Sequence, residues 1–161
     1  MKTTGPAPAA RSLQDVGAMA GARKSVLCVE DHGDTCALLE VVLGFAGYQV
    51  KTASSLAEGL RLAGRERFDL YLIDNRLPDG SGVELCCRLR EFDPHTPVAF
   101  HSGAAYETDR RAAFEAGAQA YLTKPADMDE LVREIARLIE KPRPRKPTHG
   151  KAADPSVELQ G

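Results

Sequence analysis

The strongest constraint on this 161-residue chain is a regular alternation of two apolar periodicities over residues 25–140. Short apolar runs typical of buried strands alternate with stretches in which apolar residues recur every three or four positions, as on one helix face. The predicted strands cover 25–29, 48–53, 70–73, 97–100 and 120–122. Each connection is long enough for a helix, which requires parallel pairing of the strands. The sequence therefore predicts an α/β fold, a three-layer α/β/α sandwich.

One helix is predicted after each strand, and the fourth, an Ala-rich helix, is predicted from about Glu107 to Ala116. In the first helix, the residues predicted to face the sheet are Leu38, Val41, Val42 and Phe45. Ser54 or Ser55 is predicted to cap the second helix, because a serine hydroxyl can accept a hydrogen bond from a free backbone N–H there. Leu85, Leu89 and Phe92 are predicted to mark the buried face of the third helix. The last helix, from Met128 to Ile139, has the most regular apolar spacing.

The two ends of the chain differ from the middle in composition. Residues 1–24 and 141–161 contain few large apolar side chains, so both are predicted to be flexible. Residues 25–140 hold 12 basic and 20 acidic residues, a net charge of −8. Such a charge argues against direct nucleic acid binding by the folded part and suits a divalent cation or a basic partner.

Two further features bear on where the protein acts. No apolar run approaches the roughly 20 residues needed to cross a bilayer, and the first residues lack the apolar core of a secretory signal. A cytoplasmic location away from the membrane is predicted. The four cysteines, Cys28, Cys36, Cys86 and Cys87, show neither zinc-site nor disulfide spacing, and are predicted to be reduced. A core position is predicted for Cys28, for Cys36 and for at least one of the adjacent Cys86 and Cys87.

Polar side chains gather where the predicted strands end. Glu30 and Asp31 follow the first strand, Asp74 the third, Ser102 the fourth and Lys124 the fifth. In open α/β sheets the functional site lies at the carboxyl ends of the strands. Any one of these acids, taken alone, is best interpreted as a solvated loop residue. Three clustered carboxylates, however, need a positive charge that offsets their mutual repulsion. A hard cation with oxygen ligands, Mg²⁺ in preference to Ca²⁺, is predicted.

The motifs over residues 25–140 resemble the receiver domain of two-component response regulators. They are Glu30-Asp31 after an apolar strand, LYLIDNRLPDGSG around Asp74, PVAFHS ending at Ser102, and YLTKP around Lys124. The resemblance implies a flavodoxin-like (βα)5 fold with the parallel strand order 2-1-3-4-5. It also implies a phosphoacceptor signalling protein rather than an enzyme with a separate substrate.

The resemblance implies a role for each motif residue. Asp74 would be the phosphoacceptor, and Lys124 and Ser102 would bind the phosphoryl oxygens. The implied Mg²⁺ ligands are Glu30, Asp31, Asp74 and the backbone carbonyl of Arg76. Ser102 and Tyr121 would form the conformational switch, and a cis Lys124–Pro125 bond would orient the lysine.

The implied phosphoryl donor is a sensor histidine kinase or a histidine phosphotransfer protein, and the downstream protein target is unknown. Output is expected at the surface formed by the fourth helix, fifth strand and fifth helix, which is also a candidate homodimer interface. Residues predicted there are Tyr106, Arg110, Arg111, Ala120 and the exposed side of 127–137. The segment after residue 140 is too short for an output domain, which favours a single-domain response regulator.

Two alternatives stay open at this point. The chain could be a phosphorylation-independent interaction module, or a receiver fragment of a longer regulator. A hydrolase of the haloacid type also uses an aspartyl phosphate, but it needs a second Asp where Arg76 stands. His32 and His101 lack the spacing of metal ligands and are expected at the rim of the site.

Overall fold

The computed structural model describes residues 21–142. Within this segment, five strands form the main sheet: Ser25–Val29 (β1), Gln49–Ala53 (β2), Leu70–Ile73 (β3), Val98–Ser102 (β4) and Ala120–Thr123 (β5). Five helices of the same segment follow them: Gly33–Phe45 (α1), Leu56–Arg65 (α2), Gly82–Phe92 (α3), Glu107–Glu115 (α4) and Met128–Glu140 (α5). A two-stranded hairpin, Arg76–Leu77 with Gly80–Ser81, lies between β3 and α3.

The five strands of the main sheet are parallel and lie in the order β2-β1-β3-β4-β5. This confirms the predicted flavodoxin-like topology. The fourth strand extends two residues beyond its predicted end, so that His101 pairs with Leu122 and Ser102 with Thr123. The two polar residues predicted to follow this strand therefore belong to it.

The core has two layers, one on each face of the sheet. Leu39 and Leu43 of α1 and Leu131 of α5 pack with Cys28 on one face. Leu56 of α2, Leu85 of α3 and Ala113 of α4 pack on the other. Helices cover both faces because strands buried on both sides need two apolar layers. The three-layer prediction is confirmed, and Ser55 caps α2 by accepting a hydrogen bond from the Glu58 amide.

The predicted inward face of α1 is wrong. Leu39 and Leu43 are the buried residues of this helix, whereas Leu38, Val41 and Phe45 are 48, 56 and 91% exposed. Helix α1 is apolar on most of its circumference, so spacing alone fits more than one face. Phe92, predicted to be buried at the end of α3, is also exposed.

The cysteine prediction is confirmed for Cys28 and for one residue of the adjacent pair Cys86 and Cys87. Cys28 and Cys86 are buried, Cys36 is half-buried, and Cys87 is exposed. No helix within the described residues is long and apolar enough to span a membrane. The predicted flexible segments, 1–24 and 141–161, lie outside the described residues except for 21–24 and 141–142, and their flexibility stays a prediction.

Candidate functional site

The site is built on a row of three buried polar side chains at the carboxyl edge of the sheet. In the last paired row of β1, β3 and β4, Val29 lies beside Ile73 and Ile73 beside Phe100. The next residues along these strands are Glu30, Asp74 and His101, and they are 2, 7 and 5% exposed. The Asp74 amide still donates to the carbonyl of Val29, at 2.9 Å. The sheet therefore brings the three side chains together in a buried environment.

Lys124 links two of these side chains. Its Nζ donates a hydrogen bond to Oε2 of Glu30 and another, at 3.2 Å, to Oδ2 of Asp74. Burial acts to lower the pKa of the Lys124 ammonium, but the hydrogen bond to Glu30 and the charge of Asp74 outweigh it and raise that pKa. Lys124 is thus held charged between two carboxylates. The implied cis Lys124–Pro125 bond is present.

Asp31 and His32 form the exposed rim of the site. Nδ1 of His32 lies 3.1 Å from Oδ1 of Asp31 and 3.3 Å from Oε1 of Glu30. The hydrogen bond to Asp31 and the nearby negative charges raise the pKa of His32. Ligand atoms of Glu30, Asp31 and His32 lie within 4.8 Å of one another, the one such group of three in residues 21–142. Asp74 does not belong to this group, but Lys124 connects the two by donating hydrogen bonds to both Asp74 and Glu30.

The loop after Asp74 is held by contacts that sequence reasoning missed. Asp79, in the turn of the hairpin, accepts hydrogen bonds from the amides of Leu56 and Ala57 at 2.8 and 3.0 Å. These backbone hydrogen bonds lower the pKa of Asp79. Asp79 therefore ties the loop to the free amides at the start of α2, as a capping carboxylate does. The only sequence signal is an Asp in a Pro-Asp-Gly turn.

Gly82, at the start of α3, fixes the backbone of the same loop. A Cβ at this position would lie 2.5 Å from the Asp74 carbonyl oxygen and 2.9 Å from Cα of Asn75. Its amide donates to the carbonyl of Asn75 at 2.9 Å. Only glycine permits this approach of helix and loop. On the same loop, the amide of Arg76 donates to Oδ1 of Asp74 at 3.3 Å.

Ser102 and Tyr121 lie on the other side of the site. Ser102 is fully buried, and its Oγ accepts a hydrogen bond from the amide of Ala104 at 3.3 Å. The Tyr121 hydroxyl donates to the carbonyl of the same Ala104 at 2.5 Å. The Tyr121 ring is turned inward, stacked on Phe100 and covered by the guanidinium of Arg110. Both candidate switch residues thus bind one short segment, that of Ala104.

His101 differs from its expected position at the rim. It is buried, and neither ring nitrogen has a hydrogen-bond partner within residues 21–142. Burial, helped by the charge of Lys124 and opposed by that of Asp74, lowers the pKa of His101 to about 4. The prediction failed because β4 continues through this residue, which directs its side chain into the domain.

The comparisons with known proteins agree with this geometry. The family model described as the response regulator receiver domain matches residues 26–136. The chain belongs to this family. A receiver domain is a phosphoacceptor signalling module rather than a conventional enzyme, its family typically binds Mg²⁺, and it implies a histidine kinase partner.

The similar curated proteins are longer than the matched segment. PilR, a response regulator of Pseudomonas aeruginosa, is 38% identical over 117 residues, which cover 73% of this chain and 26% of PilR. PrrA, a transcriptional regulatory protein of Mycobacterium tuberculosis, is 40% identical over 71% of this chain and 49% of PrrA. The CheY-like receiver domain structure from Methanospirillum hungatei has a TM-score of 0.71 at 30% identity, covering 73% of this chain and 94% of that one.

Proposed function

We propose that this receiver domain accepts a phosphoryl group on Asp74 from the phosphohistidine of a sensor histidine kinase or histidine phosphotransfer protein. The observation that carries the proposal is the buried Asp74 carboxylate at the end of the central strand β3, hydrogen-bonded by Lys124. In the transfer, an Asp74 oxygen bonds to phosphorus while the N–P bond of the donor histidine breaks. The departing imidazole takes a proton from solvent.

The proposed ligands of Mg²⁺ are the carboxylates of Glu30, Asp31 and Asp74 and the backbone carbonyl of Arg76. The donor set fits a hard cation, since all four ligands are oxygen atoms and Glu30 already lies close to Asp31. Lys124 alone offsets only part of the charge of three carboxylates. Bound Mg²⁺ would reduce the repulsion between the anionic carboxylate and the anionic phosphoryl group.

Lys124 and Ser102 are proposed to bind the transferred phosphoryl group. Lys124 already donates to an oxygen of Asp74, so a phosphoryl group on that side chain lies within reach of its ammonium. The Ser102 hydroxyl accepts from the Ala104 amide and also interacts with the Tyr121 hydroxyl. Rotation about its C–O bond would direct the Ser102 hydrogen to a phosphoryl oxygen. Together they supply positive charge and a donor where negative charge increases.

The signal is proposed to reach the surface through Ala104. Movement of Ser102 toward a phosphoryl oxygen shifts Gly103 and Ala104, and Tyr121 is bonded to Ala104. Tyr121 in turn contacts Arg110 of α4. Phosphorylation would therefore change the α4-β5-α5 surface, where Tyr106 is 74% exposed. The partner bound there is a downstream protein, and a second copy of this chain is one candidate.

Mass spectrometry of the intact protein tests the proposal. Incubation with acetyl phosphate and Mg²⁺ is expected to add one phosphoryl group to the wild type and to the matched control Asp129→Asn, in which an exposed acid of α5 is changed. Asp74→Asn and chelation of Mg²⁺ are expected to prevent the addition. An unlabelled wild type, or Asp74→Asn labelled as fully as wild type, would contradict the proposal.

A further inference from the structure

His101 is a buried polar side chain without a partner. It is 5% exposed, and neither Nδ1 nor Nε2 makes a hydrogen bond within the described part of the chain. A buried imidazole in this condition lowers the stability of the fold, and such a group calls for an explanation. None of the roles proposed for Asp74, Lys124 and Ser102 involves this imidazole.

The position of His101 points to the phosphorylation site. It follows Phe100, the neighbour of Ile73 in the sheet, as Asp74 follows Ile73. It also pairs with Leu122, two residues before Lys124. The charges of both Asp74 and Lys124 act on the ring, and burial keeps it neutral at physiological pH. A neutral imidazole has one N–H donor to offer.

The oxygens of Asp74 are already engaged in this state. Oδ2 accepts from Lys124 at 3.2 Å, and Oδ1 accepts from the amide of Arg76 at 3.3 Å. A phosphoryl group on Asp74 would add three strong acceptor oxygens at the same place. The unpartnered His101 ring and the new acceptor oxygens on Asp74 would thus both lie at the carboxyl edge of the sheet, on the neighbouring strands β4 and β3.

We propose that His101 is a positioning residue of the phosphorylated site, whose ring N–H donates a hydrogen bond to the phosphorylated side chain of Asp74. The inference rests on the proposed phosphorylation of Asp74. In the unphosphorylated domain, the unpaired imidazole lowers the stability of the fold. In the phosphorylated domain, the new hydrogen bond removes this free-energy cost. His101 therefore biases the domain toward the phosphorylated form, since a ligand or modification shifts an equilibrium by its differential interaction with the two states.

The test uses beryllofluoride, a phosphoryl mimic, with Mg²⁺ on the full chain. His101→Leu replaces the ring with an apolar side chain; His101→Asn and His101→Gln restore a donor near the positions of Nδ1 and Nε2. His101→Leu is expected to raise the melting temperature without the mimic and to weaken mimic binding about three- to tenfold. Either His101→Asn or His101→Gln is expected to restore much of the affinity.

A control variant separates stability from positioning. Thr96→Val changes another buried polar residue, whose hydroxyl donates to the carbonyl of Phe68 at the opposite end of the sheet. It is expected to change the melting temperature but leave the affinity for the mimic unchanged. A weakened affinity in Thr96→Val equal to that of His101→Leu would overturn the inference.

Nitrogen-15 NMR of the histidine rings reports hydrogen bonding of the ring nitrogens, which a change in packing alone would leave unaltered. The His101 signal, assigned by its loss in His101→Asn, is expected to show a newly hydrogen-bonded N–H when the mimic binds. Equal affinities of wild type and His101→Leu for the mimic would overturn the role of His101 and leave the proposed function standing. A loss of affinity in His101→Leu that neither His101→Asn nor His101→Gln restores, together with an unchanged His101 ring signal in the wild type, would do the same. Failure of the wild type to bind the mimic and to be phosphorylated would instead overturn the proposed function.

Discussion

Gly82 and Asp74 are in backbone contact so close that a Cβ on Gly82 would lie 2.5 Å from the Asp74 carbonyl oxygen. The clash would be with backbone, which has no rotamer by which to move away. Gly82→Ala is therefore expected to displace the start of α3 or the Asp74 loop, with a loss of about 2 kcal/mol in the free energy of unfolding. Phosphorylation by acetyl phosphate is expected to slow as well.

The matched control for this change is Gly64→Ala. Gly64 is exposed near the end of α2, and a Cβ there meets nothing within 4 Å. Alanine favours helix over glycine, so this variant is expected to keep or gain stability, by up to about 1 kcal/mol. Urea unfolding and phosphorylation rates check both variants. Equal behaviour of the two would contradict the requirement for glycine at 82.

Lys124→Met is expected to lower stability by about 3 kcal/mol, because it leaves the buried Glu30 carboxylate without its cation. Mg²⁺ is expected to stabilise this variant more than it stabilises the wild type, since the added charge replaces part of what was lost. The control is Lys51→Met. Lys51 pairs with Glu66 on the surface, where both side chains are over 40% exposed, and such pairs contribute at most about 1 kcal/mol. Thermal unfolding with and without Mg²⁺ measures both effects.

Asp93 is expected to make stability depend on acid pH. Burial acts to raise the pKa of Asp93, but hydrogen bonds from Thr96, the Tyr71 hydroxyl and the His95 amide outweigh burial and hold that pKa below its usual value. The unfolded state then binds the proton more readily, so the stabilisation is present above the unfolded pKa and is lost as pH falls through the folded pKa.

Asp93→Asn tests this dependence. The variant is expected to be less stable than the wild type by about 1 to 2 kcal/mol at pH 7. The difference should stay constant above about pH 5 and shrink below about pH 4. Tyr71→Phe, which removes the 2.8 Å hydrogen bond to Asp93, is expected to weaken the acid dependence without abolishing it. A difference between Asp93→Asn and wild type that grows as pH falls would contradict the assignment.

The corrected face of α1 is tested by a pair of alanine variants. Leu43 is fully buried, and Leu43→Ala is expected to cost about 3 kcal/mol. Phe45 is 91% exposed, and Phe45→Ala is expected to change stability by less than about 0.5 kcal/mol. Urea unfolding measures both changes in the free energy of unfolding. A larger loss of stability for Phe45→Ala than for Leu43→Ala would support the buried face that the apolar spacing predicted.

The order of elements and the positions of the motif residues at the strand ends could be predicted from sequence because they depend on local patterns. Every strand except the half-exposed β2 contains a short apolar run, and Asp74 and Lys124 directly follow β3 and β5. The strand order came from the family resemblance, because alternation alone does not determine which strands are neighbours. The face of α1 could not be predicted, because apolar residues surround most of this helix and only packing distinguishes Leu43 from Phe45.

The supporting contacts of the site depend on folding at long range. Asp79 binds amides of α2 that lie 22 and 23 residues away in sequence. The constraint on Gly82 exists only because α3 begins against the Asp74 loop. The burial of His101 follows from the two extra residues of β4. None of these features leaves a periodic signal in the sequence.

The central claim is that Asp74 receives the phosphoryl group, and reductive trapping tests it most directly. Borohydride reduces an aspartyl phosphate to homoserine with release of phosphate, and peptide mass spectrometry then locates the changed residue. After treatment with acetyl phosphate and Mg²⁺, we predict homoserine at position 74. Homoserine at the position of another aspartate, such as Asp31 or Asp79, would contradict this claim. The absence of homoserine from a protein that carries the added phosphoryl mass would contradict it as well.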